Sequence, residues 1–213
     1  MWRFVGPVVI ALGLGLSSSA QTPVPGHKPL PMKKYCQPKI GFCFNYPMLW
    51  SVVGEVFDGN GVVIAPPQKG DPTLWDGITV ALVAPAPEGD EEGLGLNGII
   101  EQAQAGMRDA GQNFQTLQRQ ERTVDHMPAQ LLKAQYREKA TGHDWIEELV
   151  FIEGPDNEVY SVALKCAPQS LARMEAVQKR VLDTWTLPEP EPPEGESDDS
   201  PAAPSNKPQP QHP

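Results

Sequence analysis

The residues that could act together in catalysis or metal binding are a histidine and three carboxylates in one short stretch. These are His143, Asp144, Glu147 and Glu148. On an extended strand, alternation places His143 and Glu147 on one face and Asp144 and Glu148 on the other. Each face then offers two ligands, fewer than a metal site needs. We interpret the cluster as charges that pair with Arg or Lys neighbours, with a cryptic site of His143, Glu147 and Asp125 as the alternative.

Other patterns have the residue types of a site without its spacing. Asp125-His126 precedes Met127-Pro128 and has no adjacent nucleophile, which indicates a solvated turn. The acidic run 88–92 lacks the alternation of a calcium loop. The glycines of 93–98 precede a helix, but that acidic run would repel phosphate. No serine sits in a nucleophile-elbow pattern. We therefore predict no catalytic residue, no cofactor and no metal.

The three cysteines allow three single pairings. Cys36 and Cys43 flank the turn residues 38–41, so they can face each other across a hairpin. Closing that eight-residue loop would stabilise the fold by about 2.5 kcal/mol. Cys166 lies on an apolar strand face, which is typical of a buried free thiol. We predict a Cys36–Cys43 disulfide, with Cys43–Cys166 as the main rival pairing.

Three tryptophans could contribute to a binding surface. Trp50, Trp75 and Trp145 all occur near strand signals, and packing in the core is the default expectation for each. Trp75 lies in the polar loop 71–76 and is the one we expect to be partly exposed. A ligand groove, if present, is therefore expected near Trp75.

The elements around these residues follow from the period of the apolar residues. Alternation and turn residues predict four strands at 41–46, 50–57, 62–65 and 78–84. A three- and four-residue spacing then predicts an amphipathic helix, with Asn97 as N-cap and Gly111 as its stop. Its apolar stripe is Leu96, Ile99, Ile100, Ala103 and Met107.

After this helix the strand pattern returns. Short turns separate four strands at 114–123, 129–138, 143–153 and 158–166, which predicts an antiparallel meander. Between Leu149 and Ile152 consecutive residues are apolar, so helices should cover both faces of the sheet. A last helix begins at Pro168 and is lined by Leu171, Met174, Val177, Val181 and Trp185. The predicted class is α+β, with a mainly antiparallel sheet flanked by helices.

The two ends of the chain differ from this domain. Residues 1–20 combine Arg3, an apolar stretch of 13 residues and small residues up to Ala20, which predicts a cleaved signal peptide. An uncleaved anchor is the alternative, but the stretch is shorter than a membrane span. Residues 21–34 are expected to be a flexible lead-in, and the proline- and acid-rich residues 188–213 a disordered tail. We expect no transmembrane segment in the mature chain, and a periplasmic or secreted location.

The charge of the chain excludes two classes of partner. The formal net charge is −10, which argues against nucleic acid and against an anionic membrane surface. Residues 35–187, the predicted domain, contain 21 acidic and 12 basic residues. The folded part is itself strongly acidic, which favours a basic partner surface.

Four motifs then occur in an order typical of one family. They are Gly41-Phe42-Cys43-Phe44-Asn45-Tyr46-Pro47-x-x-Trp50, Asp76-x-Ile78-Thr79-Val80, Thr123-Val124-Asp125-x-x-Pro128-Ala129, and Val159-Tyr160-Ser161 with Leu164, Pro168 and Trp185. Together they resemble the Mog1/PsbP-like superfamily, which includes DcrB and DUF1795-type bacterial proteins. The resemblance covers nearly all of residues 35–187 and implies an α/β/α sandwich around an antiparallel sheet.

The resemblance implies binding roles and no shared catalytic site. Members are linked to photosystem assembly, small-GTPase binding, envelope lipoproteins and chaperones. For this chain we predict a non-enzymatic binding or scaffold protein of the bacterial cell envelope, whose partner is a protein or a hydrophobic ligand. One alternative is an exported hydrolase or metal-dependent enzyme. The other is a lipid carrier, which predicts an apolar cavity between helix and sheet.

Overall fold

The computed structural model describes residues 30–69, 75–86 and 94–187. The predicted signal peptide, the acidic run 88–92 and the predicted tail lie outside these residues. The described part contains nine strands and two α-helices. The elements are β1 (Met32–Cys36), β2 (Cys43–Pro47), β3 (Ser51–Val56), β4 (Gly61–Ala65), β5 (Gly77–Ala84), α1 (Gly95–Ala110), β6 (Gly111–Val124), β7 (Met127–Glu138), β8 (Asp144–Glu153), β9 (Val159–Cys166) and α2 (Leu171–Asp183).

Seven of the strands form one antiparallel sheet, in the order β3-β4-β5-β9-β8-β7-β6. Tight turns join β6 to β9 into the predicted meander, which pairs strand to strand throughout. The meander joins the first half of the chain where β9 pairs with β5, for example Thr79 with Ala163. The strands β1 and β2 form a separate hairpin. The predicted α+β class is confirmed.

Each face of the large sheet has its own apolar core. Val150 and Ile152 of β8 pack with α2 and the β1–β2 hairpin, whereas Leu149 and Phe151 pack with α1. This confirms the prediction that consecutive apolar residues on β8 serve two faces. The first face holds the larger core, which includes Phe42, Phe44 and Trp185, all almost fully buried.

Three boundaries differ from the sequence-based expectations. The hairpin begins at Met32, so residues 32–34 of the predicted lead-in belong to β1, where pairing with β2 overrides their polar character. Asn97 does not cap α1 but lies inside it, and its Oδ1 accepts hydrogen bonds from Arg119 and Gln130. Trp185 lies beyond the end of α2, where the Thr184 hydroxyl donates to the Arg180 carbonyl oxygen.

The predicted disulfide closes the β1–β2 hairpin. Cys36 and Cys43 are opposite each other in the register and are bonded, with their Cα atoms 4.1 Å apart. Cys43 also exchanges two backbone hydrogen bonds with Thr186, which follows α2. The hairpin is therefore tied both to itself and to the C-terminal end of the domain.

Candidate binding groove

The helix α1 leaves part of its sheet face open. It packs mainly over β6, β7 and β8, while Val159 of β9 and Val83 and Ala84 of β5 join its core at one end of their strands. A groove of about 610 Å³ follows the uncovered side of the helix. Its lining is mostly apolar: Val56, Phe57, Thr79, Val83, Ile99, Gln102, Ala103, Leu149, Phe151, Ser161 and Ala163.

Small residues on β9 give this groove its depth. Ala163 lies opposite Leu149 of β8 and Thr79 of β5, and Ser161 lies opposite Phe151. Opposed residues of an antiparallel pair share a face, so the long side chains of β8 stand beside the short ones of β9. The wall above is the apolar stripe of α1, where Ile99 is buried and Ala103 is half-buried.

Phe57 stands at the mouth of the groove in an unusual backbone conformation. It follows β3 in a short 3-10 turn, its φ is 52°, and 53% of its surface is exposed. A bulky residue in the left-handed region costs of order 1–3 kcal/mol, and such strain concentrates at functional sites. The turn therefore presents an aromatic ring to solvent beside the groove.

A smaller pocket on the same sheet face contains Trp75. It has a volume of about 330 Å³ and is lined by Val53, Val63, Ala65, Trp75, Asp76 and Gly77. Trp75 is half-buried, and its indole N–H is buried with no hydrogen-bond partner among the described residues. Trp50 and Trp145, by contrast, are buried in the two cores. A binding role for Trp75 stays a prediction.

The residues of the alternative enzyme site do not converge. Asp125 and His126 form the exposed two-residue turn between β6 and β7. His143 lies at the other end of β7, where its carbonyl oxygen accepts the Glu138 N–H. A strand of this length separates the two ends by about 35 Å. No three His, Cys, Asp or Glu side chains of the described residues are grouped as metal ligands. The proposed cluster of His143, Glu147 and Asp125 was wrong.

Glu147 instead belongs to a cluster of polar side chains that contact one another beside Tyr136 and Trp145, on the sheet face that α1 covers. It accepts the Tyr136 hydroxyl hydrogen and lies 3.9 Å from Lys165 Nζ, and burial raises the pKa of its carboxyl. Lys165 also lies 3.1 Å from Glu138 and 4.7 Å from the centre of the Trp145 ring. A hydrogen bond from Thr141 lowers the pKa of Glu138, assisted by Lys165. These groups satisfy each other, which fits a structural role.

The opposite face has a similar cluster beside Cys166. Lys133 pairs with Glu148 at 3.4 Å and with Glu175. Gln178 of α2 donates to the Glu148 and Val162 carbonyl oxygens at 2.9 and 3.1 Å. Cys166 is buried and free, and burial raises the pKa of its thiol to about 12. A thiol with so high a pKa is almost wholly protonated at neutral pH and is a poor nucleophile.

The groove was not predicted from the sequence, although most of its aromatic and apolar residues were assigned to the right elements. Phe57 was placed at the end of a strand, whereas it lies in the turn after β3, and Ala163 was placed only as part of a strand. The left-handed backbone at Phe57 and Asp58 was not predicted. Whether α1 would cover one half of the sheet or its centre depends on side-chain packing across distant segments, which no local pattern contains.

Comparison with known proteins identifies the fold. No family model matches the sequence, and no curated protein sequence matches it significantly. Cyanobacterial PsbP (CyanoP) from Synechocystis sp. PCC 6803 shares the fold at a TM-score of 0.51, with 13% identity over 79% of this chain and 99% of CyanoP. LpqN of Mycobacterium tuberculosis, involved in cell envelope biogenesis, gives a TM-score of 0.51 and 14% identity over 74% of this chain and 92% of LpqN.

A third structure is the Ran-binding protein Mog1p of Saccharomyces cerevisiae. It gives a TM-score of 0.47 and 11% identity, covering 74% of this chain and 96% of Mog1p. The likeness to CyanoP and LpqN shows that the chain has the Mog1/PsbP-like fold, as its motifs predicted.

None of the α-helices in the described ranges is long and apolar enough to cross a membrane.

Proposed function

We propose that this protein is an exported, non-enzymatic binding protein that takes an apolar group of its ligand into the groove beside α1. The observation that carries the proposal is the groove itself, about 610 Å³ and lined mainly by apolar side chains. Ligand pockets are typically concave, largely preformed and mostly apolar, with few polar groups. Thr79, Gln102 and Ser161 are the polar residues of the lining and would orient a ligand.

Export is supported by two features of the chain and by one protein of the same fold. The disulfide between Cys36 and Cys43 is of the kind that persists outside the cytosol. The sequence-based signal peptide at 1–20 would direct the chain there, and LpqN provides an example of the fold in a protein of envelope biogenesis. Expression of the full chain in a bacterium tests this. We expect periplasmic or secreted protein whose first residue is Gln21; a cytosolic chain that retains Met1 would contradict export.

The occupancy of the groove can be tested with the apolar fluorescent probe N-phenyl-1-naphthylamine. The natural chain should bind it saturably with increased fluorescence. Replacing Ala103 by Arg places a charge in the groove, so we expect the affinity to fall at least about tenfold, equivalent to 1.4 kcal/mol. Ala105 is on the same helix and exposed, so Ala105→Arg is the matched control and should bind as the natural chain does.

Two outcomes would overturn the groove as the binding site. One is the absence of saturable probe binding by the natural chain. The other is equal binding by the Ala103→Arg and Ala105→Arg variants, once circular dichroism shows both to be folded. Native mass spectrometry of protein purified from the envelope then separates the sources of the apolar group. A mass adduct extractable into organic solvent indicates a lipid, and a protein adduct indicates an apolar side chain of a partner.

A further inference from the structure

The outer strand β3 has a free edge. It pairs with β4 on one side, and no other strand in the described ranges pairs with its other side. Residues 51–55 are all exposed. The backbone N–H and C=O groups on the outer edge of such a strand are a template for another extended chain. The free edge is therefore a place where a segment of another molecule can pair.

This edge has few of the usual protections against pairing. Native proteins protect an edge with lysine, proline, β-bulges or inward-pointing charges. On β3 the side chains of Val52 and Val53 are exposed, and Leu49, which precedes the strand, is 72% exposed. A bulge occurs between Val52 and Gly54, but no proline or basic residue lies on the strand. The apolar residues exposed there would be buried by an added strand.

The charge of this region indicates the chemistry of the added strand. From Ser51 to Gln68 the acidic residues are Glu55 and Asp58, and there is no lysine or arginine. The nearby Lys39 donates to the Asp58 carbonyl oxygen at 3.4 Å, so Glu55 is the acid that the strand itself presents. A second copy would bring both sets of acids, and two strongly acidic domains, together. A segment with apolar residues and at least one lysine or arginine would complement both Glu55 and the valines.

We propose that β3 is a docking edge for an extended, basic and apolar segment of a partner protein, which joins the sheet as an eighth strand. Backbone hydrogen bonds to the edge supply general affinity, and alternate side chains supply selectivity. Val52 and Val53 contact apolar residues of the segment, and Glu55 pairs with its basic residue. This docking does not depend on what occupies the groove.

A fluorescein-labelled peptide of about ten residues, alternating valine or threonine with lysine, is a suitable probe for fluorescence anisotropy with the full chain. We expect saturable binding that weakens as salt is raised, because part of the attraction is between charges. A version with proline at its centre loses one backbone N–H donor in the middle of the added strand and should bind at least tenfold more weakly. A version with glutamate in place of lysine should bind at least tenfold more weakly.

Val53→Lys places a charge on the docking edge and should weaken binding of the lysine peptide at least tenfold. Leu117→Lys is the matched control, since Leu117 lies on the opposite outer strand β6 with 46% exposure, against 44% for Val53. Its affinity should equal that of the natural chain. Glu55→Lys should reverse the preference, with the glutamate peptide now bound more tightly. Backbone amides of residues 51–56 should exchange more slowly with deuterium when the lysine peptide is bound.

Three results would overturn the proposal. The first is no saturable binding of the lysine peptide by the natural chain. The second is an equal loss of affinity in Val53→Lys and Leu117→Lys, which would show that position on β3 does not matter. The third is a dimer of the natural chain in light scattering that Val53→Lys converts to a monomer, which would assign the edge to a second copy. Failure of the naphthylamine probe alone would leave this docking edge standing and overturn only the groove.

Discussion

The two faces of the large sheet are covered to different degrees. On one face α2 and the disulfide-closed β1–β2 hairpin share a continuous core that reaches from Trp50 to Trp185. On the other face α1 covers mainly β6 to β8 and leaves the groove over the rest of β5 and β9. On the first, closed face the large side chains fill the space between the sheet and the elements that cover it. On the second, open face the groove remains unfilled by the side chains that line it. We infer that stability depends most on the first face and binding on the second.

The largest expected effect is on the closed face. Trp185→Ala removes a fully buried indole and should lower the free energy of unfolding by about 3–5 kcal/mol. Ile99→Ala at the groove should cost less, about 2 kcal/mol, because solvent or neighbouring groups can enter the open space. Urea unfolding followed by circular dichroism measures both. Equal losses would break the distinction between the faces.

The hairpin of the closed face should depend on its disulfide. Cys43→Ser opens the loop and is expected to lower the free energy of unfolding by about 2.5 kcal/mol. A reducing agent should have the same effect on the natural chain and none on the variant. Cys166→Ala is the control, since it removes the free thiol and should leave the sensitivity to reduction unchanged. Unfolding that is insensitive to reductant would contradict the role of the hairpin.

A matched pair of substitutions compares the space on the two faces directly. Ala129 is buried in the closed core, and Ala163 is half-buried in the groove. Overpacking should make Ala129→Leu less stable by about 1–3 kcal/mol. Ala163→Leu should change stability by less than about 0.5 kcal/mol and should reduce probe binding instead. The reverse order of the two stability losses would show that the groove is not open in solution.

The buried carboxyl of Glu147 should give the open face a distinctive pH dependence. Its pKa is raised by burial, so the folded state holds the proton more tightly than the unfolded state. The stability contributed by this group is therefore present at acid pH and lost as pH rises from the ordinary carboxyl range through the raised pKa. Glu147→Gln should abolish that loss. The free energies of unfolding of the natural chain and of Glu147→Gln, measured by urea unfolding at a series of pH values, should change in parallel at low pH. They should diverge as the pH rises from the ordinary carboxyl range through the raised pKa of Glu147.

The smallest effect is expected at the mouth of the groove. Phe57→Gly relieves a left-handed backbone conformation and should raise the free energy of unfolding by up to about 1 kcal/mol. The same change removes the exposed ring, so affinity for the naphthylamine probe should fall. Phe57→Ala is the control, because it removes the ring but keeps the strain. A fall in stability with Phe57→Gly would mean that the ring supports the fold rather than the site.

The sequence predicted what depends on neighbouring residues. Alternation and turns located the strands of the meander, the helical spacing located α1, and the pair Cys36 and Cys43 was placed across a hairpin. Boundaries were less certain where tertiary contacts decide. Residues 32–34 looked like a linker because two of the three are lysines and no alternation extends through them, and they become a strand because the β2 backbone pairs with them. Asn97 has the type of a capping residue, but the helix starts three residues earlier than that cap would place it, at Gly95.

By itself, the sequence determined the α+β class, the hairpin disulfide and the two-sided core on β8, because apolar period, turn residues and the short Cys36–Cys43 separation are local properties. Only the tertiary structure decided the pairing of β5 with β9, the lateral position of α1 and hence the groove. The separation of Asp125 from His143, by contrast, already follows from the predicted strand 129–138 between them, and the structure confirms it. The pairing of β5 with β9 and the position of α1 are set by how distant segments pack and pair, and no short stretch of sequence contains that information.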